Sequence, residues 1–246
     1  MEKFVVLGIQ RTGTTLIRTT LNSHPKILCA GEVFKIRKIG RSAYPGKDGY
    51  PAYLKGSFDR WLKHYFQRPA NTFSYLDHLY SLNGYEAIGF KFMTSHFKRF
   101  PAVVPYIVDN RIKVINVARE NVLKTLLSRR TAERRQLYHT TKTISQSKIK
   151  LSISSLLSDL GRVQQDGQQW GKLLRGYDHC IKVSYENFVR NKQQESKRIL
   201  DFLGVNFFAV DSDLVKINPD NLDSLIENYN EVKEKLTGSA FEYCLN

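Results

Sequence analysis

The chain has 246 residues, with 38 Lys or Arg against 23 Asp or Glu, which gives a formal net charge of +15. Hydrophobic residues make up 41% of it, enough to fill one core, and this excludes an intrinsically disordered chain. The apolar runs are too short to cross a bilayer and the N-terminus lacks a signal-peptide pattern, so we expect a single cytoplasmic domain over residues 1–246. The charge predicts a polyanionic partner, which composition leaves open between nucleic acid, an acidic membrane and a highly charged small ligand.

Strands and helices are predicted to alternate along the chain. Short β-branched or apolar runs predict strands at residues 3–7, 27–29, 87–93, 113–117 and 181–184. Apolar residues at helical spacing predict helices at residues 14–21, 121–132, 196–203 and 222–236. Residues 35–85 have weak periodicity and predict short helices and loops. The alternation predicts an α/β, three-layer, P-loop-like fold with a central, mainly parallel sheet flanked by helices.

The first predicted strand leads into residues 8–15, GIQRTGTT, which have the spacing of the phosphate loop GxxxxGK[ST] but carry Thr14 in place of its lysine. At the carboxyl edge of a parallel sheet, the amides of such a loop and the N-terminus of the next helix form an anion cradle. Gly13 allows close approach of the backbone, and the only cation is Arg11. The missing lysine disfavours a nucleotide kinase. The pattern favours a ligand with a short anionic bridge and no metal, and the alternative is a turn without a ligand.

The segment RTGTT after a strand resembles the 5′-phosphosulfate loop of sulfotransferases that use 3′-phosphoadenosine-5′-phosphosulfate (PAPS). The Arg-Lys-Gly loop of the animal cytosolic enzymes is absent, so the chain is similar to the bacterial and carbohydrate-type group, including nodulation-factor and glycolipid sulfotransferases. The resemblance implies that PAPS is the cofactor and that its phosphosulfate is held by Arg11, Thr12, Gly13, Thr14, Thr15 and Leu16.

A second matching element is KVINVARENVLKTLLS, in which Arg119 ends a predicted strand and Ser128 lies in the following helix. In the family, this arginine and serine hold the 3′-phosphate, and a guanidinium can do so through two parallel hydrogen bonds. Many members place the serine eight positions after the arginine, which is Leu127 here, whereas Ser128 is nine positions after it. The segment SYENF is similar to one in which a tyrosine, here Tyr185, lies near the nucleotide; a core or capping role is the alternative.

The resemblance also implies the catalytic groups. Glu32 occupies the position at which similar carbohydrate sulfotransferases place a catalytic glutamate, and we predict that it is the general base, with a capping or solvated carboxylate as the alternative. Arg11 is predicted to stabilise charge on the leaving group. Lys91, in GFKFM, is predicted to contact the sulfonate or the acceptor, and the alternative is a lysine whose ammonium reaches solvent.

Together these residues predict transfer of a sulfuryl group to a hydroxyl, less favourably an amine, of a glycan, glycolipid or small natural product. Acceptor-binding insertions are expected at about residues 35–85 and 134–170, which have no clear counterpart in the family. No metal is expected, because the histidines lack ligand spacing and the three cysteines form no CxxC pair. The alternatives are a P-loop nucleotide kinase and a basic nucleic-acid-binding protein, although no nucleic-acid-binding motif is present.

Overall fold

The computed structural model describes residues 1–35, 49–50, 68–135, 148–212 and 221–245. Within these ranges, strands form one parallel sheet in the order β2-β3-β1-β4-β5. The strands are β1 (Glu2–Gly8), β2 (Ile27–Ala30), β3 (Ala87–Met93), β4 (Lys113–Ala118) and β5 (Cys180–Ser184). The α/β class, the parallel sheet and its flanking helices are therefore as predicted.

Helices follow the strands along the chain. Among the residues that the structure describes, the first five are α1 (Thr14–Asn22), α2 (Arg68–Tyr80), α3 (Thr94–Phe97), α4 (Val103–Asp109) and α5 (Val122–Arg135). The next four are α6 (Leu156–Leu173), α7 (Tyr185–Arg190), α8 (Lys192–Leu203) and α9 (Tyr229–Leu236). A 3-10 helix at Glu242–Leu245 ends the described chain. None of these helices is both long and apolar enough to cross a membrane.

The two faces of the sheet belong to two different cores, because successive side chains of a strand point to opposite faces. Val5 and Leu7 of β1 pack with residues of α2, α4 and α6, while Phe4 and Val6 pack with residues of α1 and α8. A third apolar cluster joins α5, α6 and α9. These layers bury both faces of β1, which explains its nearly continuous apolar sequence.

Strand β1 lies at the centre, with β3 on one side and β4 on the other. Since the chain leaves β1 toward β2 and later crosses to β4, the loop after β1 lies where the strand order changes direction. Ligands of open parallel sheets bind in the crevice at such a point, beyond the carboxyl ends of the strands. The fold therefore predicts a ligand site at the loop that begins at Gly8.

Two sequence predictions about local structure need correction. The segment at residues 35–85, predicted as short helices and loops, contains the 13-residue helix α2; residues 36–48 and 51–67 lie outside the described residues. The predicted helix at residues 222–236 begins only at Tyr229. The amide of Ile149 donates to the carbonyl of Leu225 at 2.8 Å, and the amide of Glu227 donates to that of Ile149 at 3.0 Å. This pairing takes backbone groups that a helix would use.

Candidate active site

The loop between β1 and α1 has an unusual backbone. Arg11 has a φ of 72° and Gly13 has a φ of 92°, so two left-handed residues flank Thr12. Alternation of left-handed and right-handed residues turns successive amides into an anion-binding concavity. The amide of Ile17 donates to the carbonyl of Gly13 at 3.1 Å, and α1 begins directly after this glycine. The loop thus ends at the positive end of a helix dipole, as an anion site requires.

The position of the missing loop lysine holds a buried hydroxyl. Thr14 donates to the sulfur of Met93 at 3.8 Å, at the end of the neighbouring strand β3. The cation beside the loop comes from β3 instead, because Nζ of Lys91 donates to Oγ1 of Thr15 at 2.9 Å. Lys91 is only 4% exposed, so the alternative that its ammonium reaches solvent is wrong.

Lys91 also binds Glu32, which follows β2. The amide of Lys91 donates to the carbonyl of Gly31 at 3.2 Å, and this backbone contact brings the two side chains together. Nζ of Lys91 lies 3.0 Å from Oε1 of Glu32. Oε2 of Glu32 lies 3.5 Å from Nε2 of His96 and 3.6 Å from the ammonium of Lys35. Glu32 is therefore an oriented carboxylate in an ion-pair cluster, not a solvated one.

Burial and charge act in opposite directions in this cluster. Burial raises the pKa of Glu32, but the charges of Lys91 and Lys35 together with the Lys91 hydrogen bond outweigh it, so the pKa is lowered. Burial lowers the pKa of Lys91, and Glu32 offsets part of this effect. Burial also lowers the pKa of His96 from 6.5, which keeps its imidazole neutral at pH 7. The cluster thus presents an ionised carboxylate at neutral pH.

A second cation lies beyond β4. The guanidinium carbon of Arg119 is 4.7 Å from the centre of the Tyr185 ring. The same ring covers the loop, because a Cβ built on Gly13 would be 2.5 Å from Cδ2 of Tyr185. Glu186 holds the connection after β4: its carboxylate accepts from the amides of Glu120 at 3.0 Å and Asn121 at 3.3 Å. Arg119, Tyr185 and the loop glycine are therefore stacked at one edge of the sheet.

The structure also distinguishes between the two candidate positions on α5. Nε of Arg11 donates to Oγ of Ser128 at 2.9 Å, so this serine lies beside the loop. Leu127 is 1% exposed and belongs to the apolar cluster of α5, α6 and α9. By geometry, Ser128 and not Leu127 lies at the candidate site.

A sequence profile described as the sulfotransferase family matches residues 3–209 of the chain. The chain belongs to the sulfotransferase family. This sulfotransferase is similar in fold to a crystallised sulfotransferase from Alicyclobacillus acidocaldarius, with 19% identity, a TM-score of 0.54, and 99% of this chain and 92% of the other covered. It is also similar to the sulfotransferase domain of the Synechococcus PCC 7002 olefin synthase, with 18% identity, a TM-score of 0.46, and 93% and 82% covered. No curated protein sequence matches it.

The structure of this sulfotransferase brings the sequence-predicted residues together at the carboxyl edge of the sheet. Arg11 to Leu16 form the loop and the start of α1. Glu32 follows β2, and Lys91 lies within β3, two residues before its end. Sequence reasoning missed His96, Trp170 and Glu186, whose partners are remote in the chain. The one available signal was the SYENF segment itself, in which a glutamate follows the predicted nucleotide tyrosine.

Proposed function

We propose that this sulfotransferase transfers the sulfuryl group of PAPS to a hydroxyl, less favourably an amine, of a glycan, glycolipid or small natural product. The donor set fits such a nucleotide, which is anionic at both its 3′ and 5′ ends. Arg11 in the loop and Arg119 after β4 supply guanidinium groups at two adjacent strand ends. The amides before α1 complete the proposed 5′ site. PAPS, when bound, supplies an activated sulfuryl group and a phosphate leaving group.

The observation that carries this proposal is the contact chain from Glu32 through Lys91 to Thr15. The carboxylate is 3.0 Å from the ammonium, which in turn is 2.9 Å from the hydroxyl in the phosphate loop. A proton acceptor is thereby tied to the loop that would hold the reacting phosphosulfate. Fixed geometry of this kind is a large contribution of an enzyme to a two-substrate displacement.

We propose that Glu32 accepts the proton of the acceptor hydroxyl. Its lowered pKa keeps the carboxylate ionised at neutral pH. A weak base is sufficient here, because the hydroxyl becomes more acidic as its oxygen forms a bond to sulfur. Lys91 and Arg11 place positive charge near the transferring group and the leaving oxygen.

The two ends of β4 offer a matched test of the nucleotide site. Arg119 follows β4 at the candidate site, whereas Arg111 precedes β4 at its other end and contacts His179. We expect the wild type to bind 3′,5′-ADP more tightly than 5′-AMP in calorimetric titrations. Arg119→Gln should lower the affinity for 3′,5′-ADP by roughly tenfold or more, which is the effect of a lost charged hydrogen bond. Arg111→Gln should leave this affinity unchanged. Equal affinity of the wild type for both nucleotides would contradict the proposal.

The acceptor itself requires a transfer assay. The protein is incubated with PAPS that carries a labelled sulfuryl group and with separate pools of glycans, glycolipids and hydroxylated natural products. We expect label to appear in one pool, and this labelling should depend on Glu32. Glu32→Gln should abolish most of the labelling and keep the affinity for 3′,5′-ADP. Unchanged labelling by this variant would remove Glu32 from the mechanism.

A further inference from the structure

Three consecutive carbonyls of the phosphate loop each accept a hydrogen bond from a side chain. The carbonyl of Gly8 accepts from the indole Nε1 of Trp170 at 3.2 Å and from Oγ1 of Thr94 at 3.4 Å. The carbonyl of Ile9 accepts from Oγ1 of Thr12 at 2.8 Å. The carbonyl of Gln10 accepts from Nε of Arg129 at 3.4 Å.

These contacts constrain the amides of the loop as well as its carbonyls. The C=O and N–H of a trans peptide point in opposite directions, so a carbonyl held on one side directs the next amide to the other. Holding the carbonyls of residues 8–10 thus orients the amides of residues 9–11. Anion sites built from backbone amides depend on this orientation, since a carbonyl turned inward would repel the anion.

We propose that Trp170 and Arg129 are positioning residues for the 5′-phosphosulfate of the nucleotide. They hold the carbonyls of Gly8 and Gln10 in place and so fix the course of the loop up to the amide of Arg11, the first of its proposed anion-binding residues. This inference rests on the proposed function, because it assigns the loop to the 5′ end of the ligand.

The two positioning residues reach the loop from remote helices and are themselves fixed. Trp170, on α6, is 1% exposed, and its ring packs 5.7 Å from that of Phe92 on β3. Arg129, on α5, lies 3.3 Å from the carboxylate of Asp166 on α6. Trp170 lies at the end of residues 134–170, for which acceptor binding stays a prediction, and it contacts the phosphate loop.

The test compares a ligand that occupies the loop with one that does not. 3′,5′-ADP carries a 5′-phosphate, whereas 3′-AMP lacks it and keeps the 3′-phosphate. Trp170→Phe keeps an aromatic ring and removes the N–H donor, and Arg129→Gln removes the contact to Gln10. Each variant should lower the affinity for 3′,5′-ADP by roughly fivefold, which is the effect of one ordinary hydrogen bond. The affinity for 3′-AMP should change by less than about twofold.

Arg130→Gln is the matched control for Arg129→Gln. Arg130 is the next residue of α5, carries the same charge, and contacts Glu133 at 3.5 Å and Asp159 at 3.6 Å. This control should leave the affinity for both ligands unchanged, which separates the loop contact from long-range electrostatics. Denaturant unfolding of each variant records any loss of stability, and Arg129→Gln tests the idea even if Trp170→Phe folds poorly.

Two results overturn the inference, and they are distinguishable. If Trp170→Phe and Arg129→Gln lower the affinities for the two ligands equally, or leave both affinities unchanged, these residues do not act through the 5′ site. If the wild type binds 3′-AMP as tightly as 3′,5′-ADP, the loop holds no 5′ group and the proposed function itself fails. Selective loss of 3′,5′-ADP affinity in both variants supports the inference.

Discussion

Replacement of Lys91 by methionine is the sharpest test of the ion-pair cluster. The methionine fills a similar volume but leaves the Glu32 carboxylate, whose side chain is 11% exposed, without its principal partner. At the 3.0 Å separation of the two charged atoms, an effective dielectric constant of about 20 gives an attraction of about 5.5 kcal/mol. Desolvation of both groups opposes this attraction in the folded protein. Without Lys91, the buried Glu32 carboxylate keeps, among the described residues, only the more distant and more exposed Lys35 as a cationic partner, and we expect a loss of about 3–5 kcal/mol in the free energy of unfolding.

The assay is denaturant unfolding at neutral pH, with Lys35→Met as one comparison and the double-mutant cycle of Glu32→Leu and Lys91→Met as the other. Lys35→Met removes a lysine that also lies near Glu32, at 3.6 Å, but is 41% exposed, and should lose no more than about 1 kcal/mol. Glu32→Leu combined with Lys91→Met removes both charges and should recover much of the loss, with a coupling energy of at least about 2 kcal/mol.

The pH dependence of stability provides an independent check that the loss in Lys91→Met arises from the ionised Glu32 carboxylate. In Lys91→Met, burial without the ion pair should raise the folded-state pKa of Glu32 above its ordinary value of 4.5. The penalty should therefore shrink as the pH falls through this raised pKa and the carboxyl group becomes neutral. Additive losses in the double variant, or a loss in Lys91→Met equal to that in Lys35→Met, would refute the reasoning.

Three further predictions concern the same edge of the sheet. Gly13→Ala places a Cβ 2.5 Å from the Tyr185 ring, at a residue whose φ is 92°. Chemical denaturation should show a loss of about 1–3 kcal/mol in the free energy of unfolding. Adding Tyr185→Ala should restore only part of it, because the backbone strain at residue 13 remains. The pKa of His96 is lowered from 6.5, so its imidazole resists protonation in the folded protein. The stability of the protein should therefore fall as the pH drops below about 6.5. His96→Gln should make the thermal unfolding temperature less dependent on pH in this range. Leu127→Ala should lose about 2–5 kcal/mol in denaturant, whereas Ser128→Ala should lose about 1 kcal/mol; the reverse order would contradict the helix register.

The sequence predicted the strands and the phosphate loop because their signals are local. β1 and β3 are short apolar runs, and buried parallel strands need such runs on both faces. The loop spacing from Gly8 to Thr15 is likewise a local pattern. The resemblance to a family then supplied Glu32, Arg119 and the other candidate site residues, for which the chain alone gives no three-dimensional evidence.

The missing parts depend on contacts between distant segments. The sequence does not show that Lys91 binds Glu32, because the pairing arises from the adjacency of β2 and β3 in the sheet. Trp170 lies at the end of a segment predicted to bind the acceptor, and its N–H reaches the carbonyl of Gly8 only through the packing of α6 against the sheet. The predicted start of the helix at residue 222 was wrong for the same reason, since Ile149 pairs with the backbone of Leu225 and Glu227 before the helix begins at Tyr229.

The site draws on chain segments that are far apart, with 117 positions between Arg11 and Ser128 and 76 between Thr15 and Lys91. A nucleotide that touches the ends of β1, β3 and β4 at once would clamp these strands, so each of them must separate from it before the sheet can come apart. Its binding energy would thus oppose whole-molecule unfolding as well as opening of the loop. Slower hydrogen exchange on addition of 3′,5′-ADP should consequently extend into the interior amides of β3 and β4, well away from the phosphates.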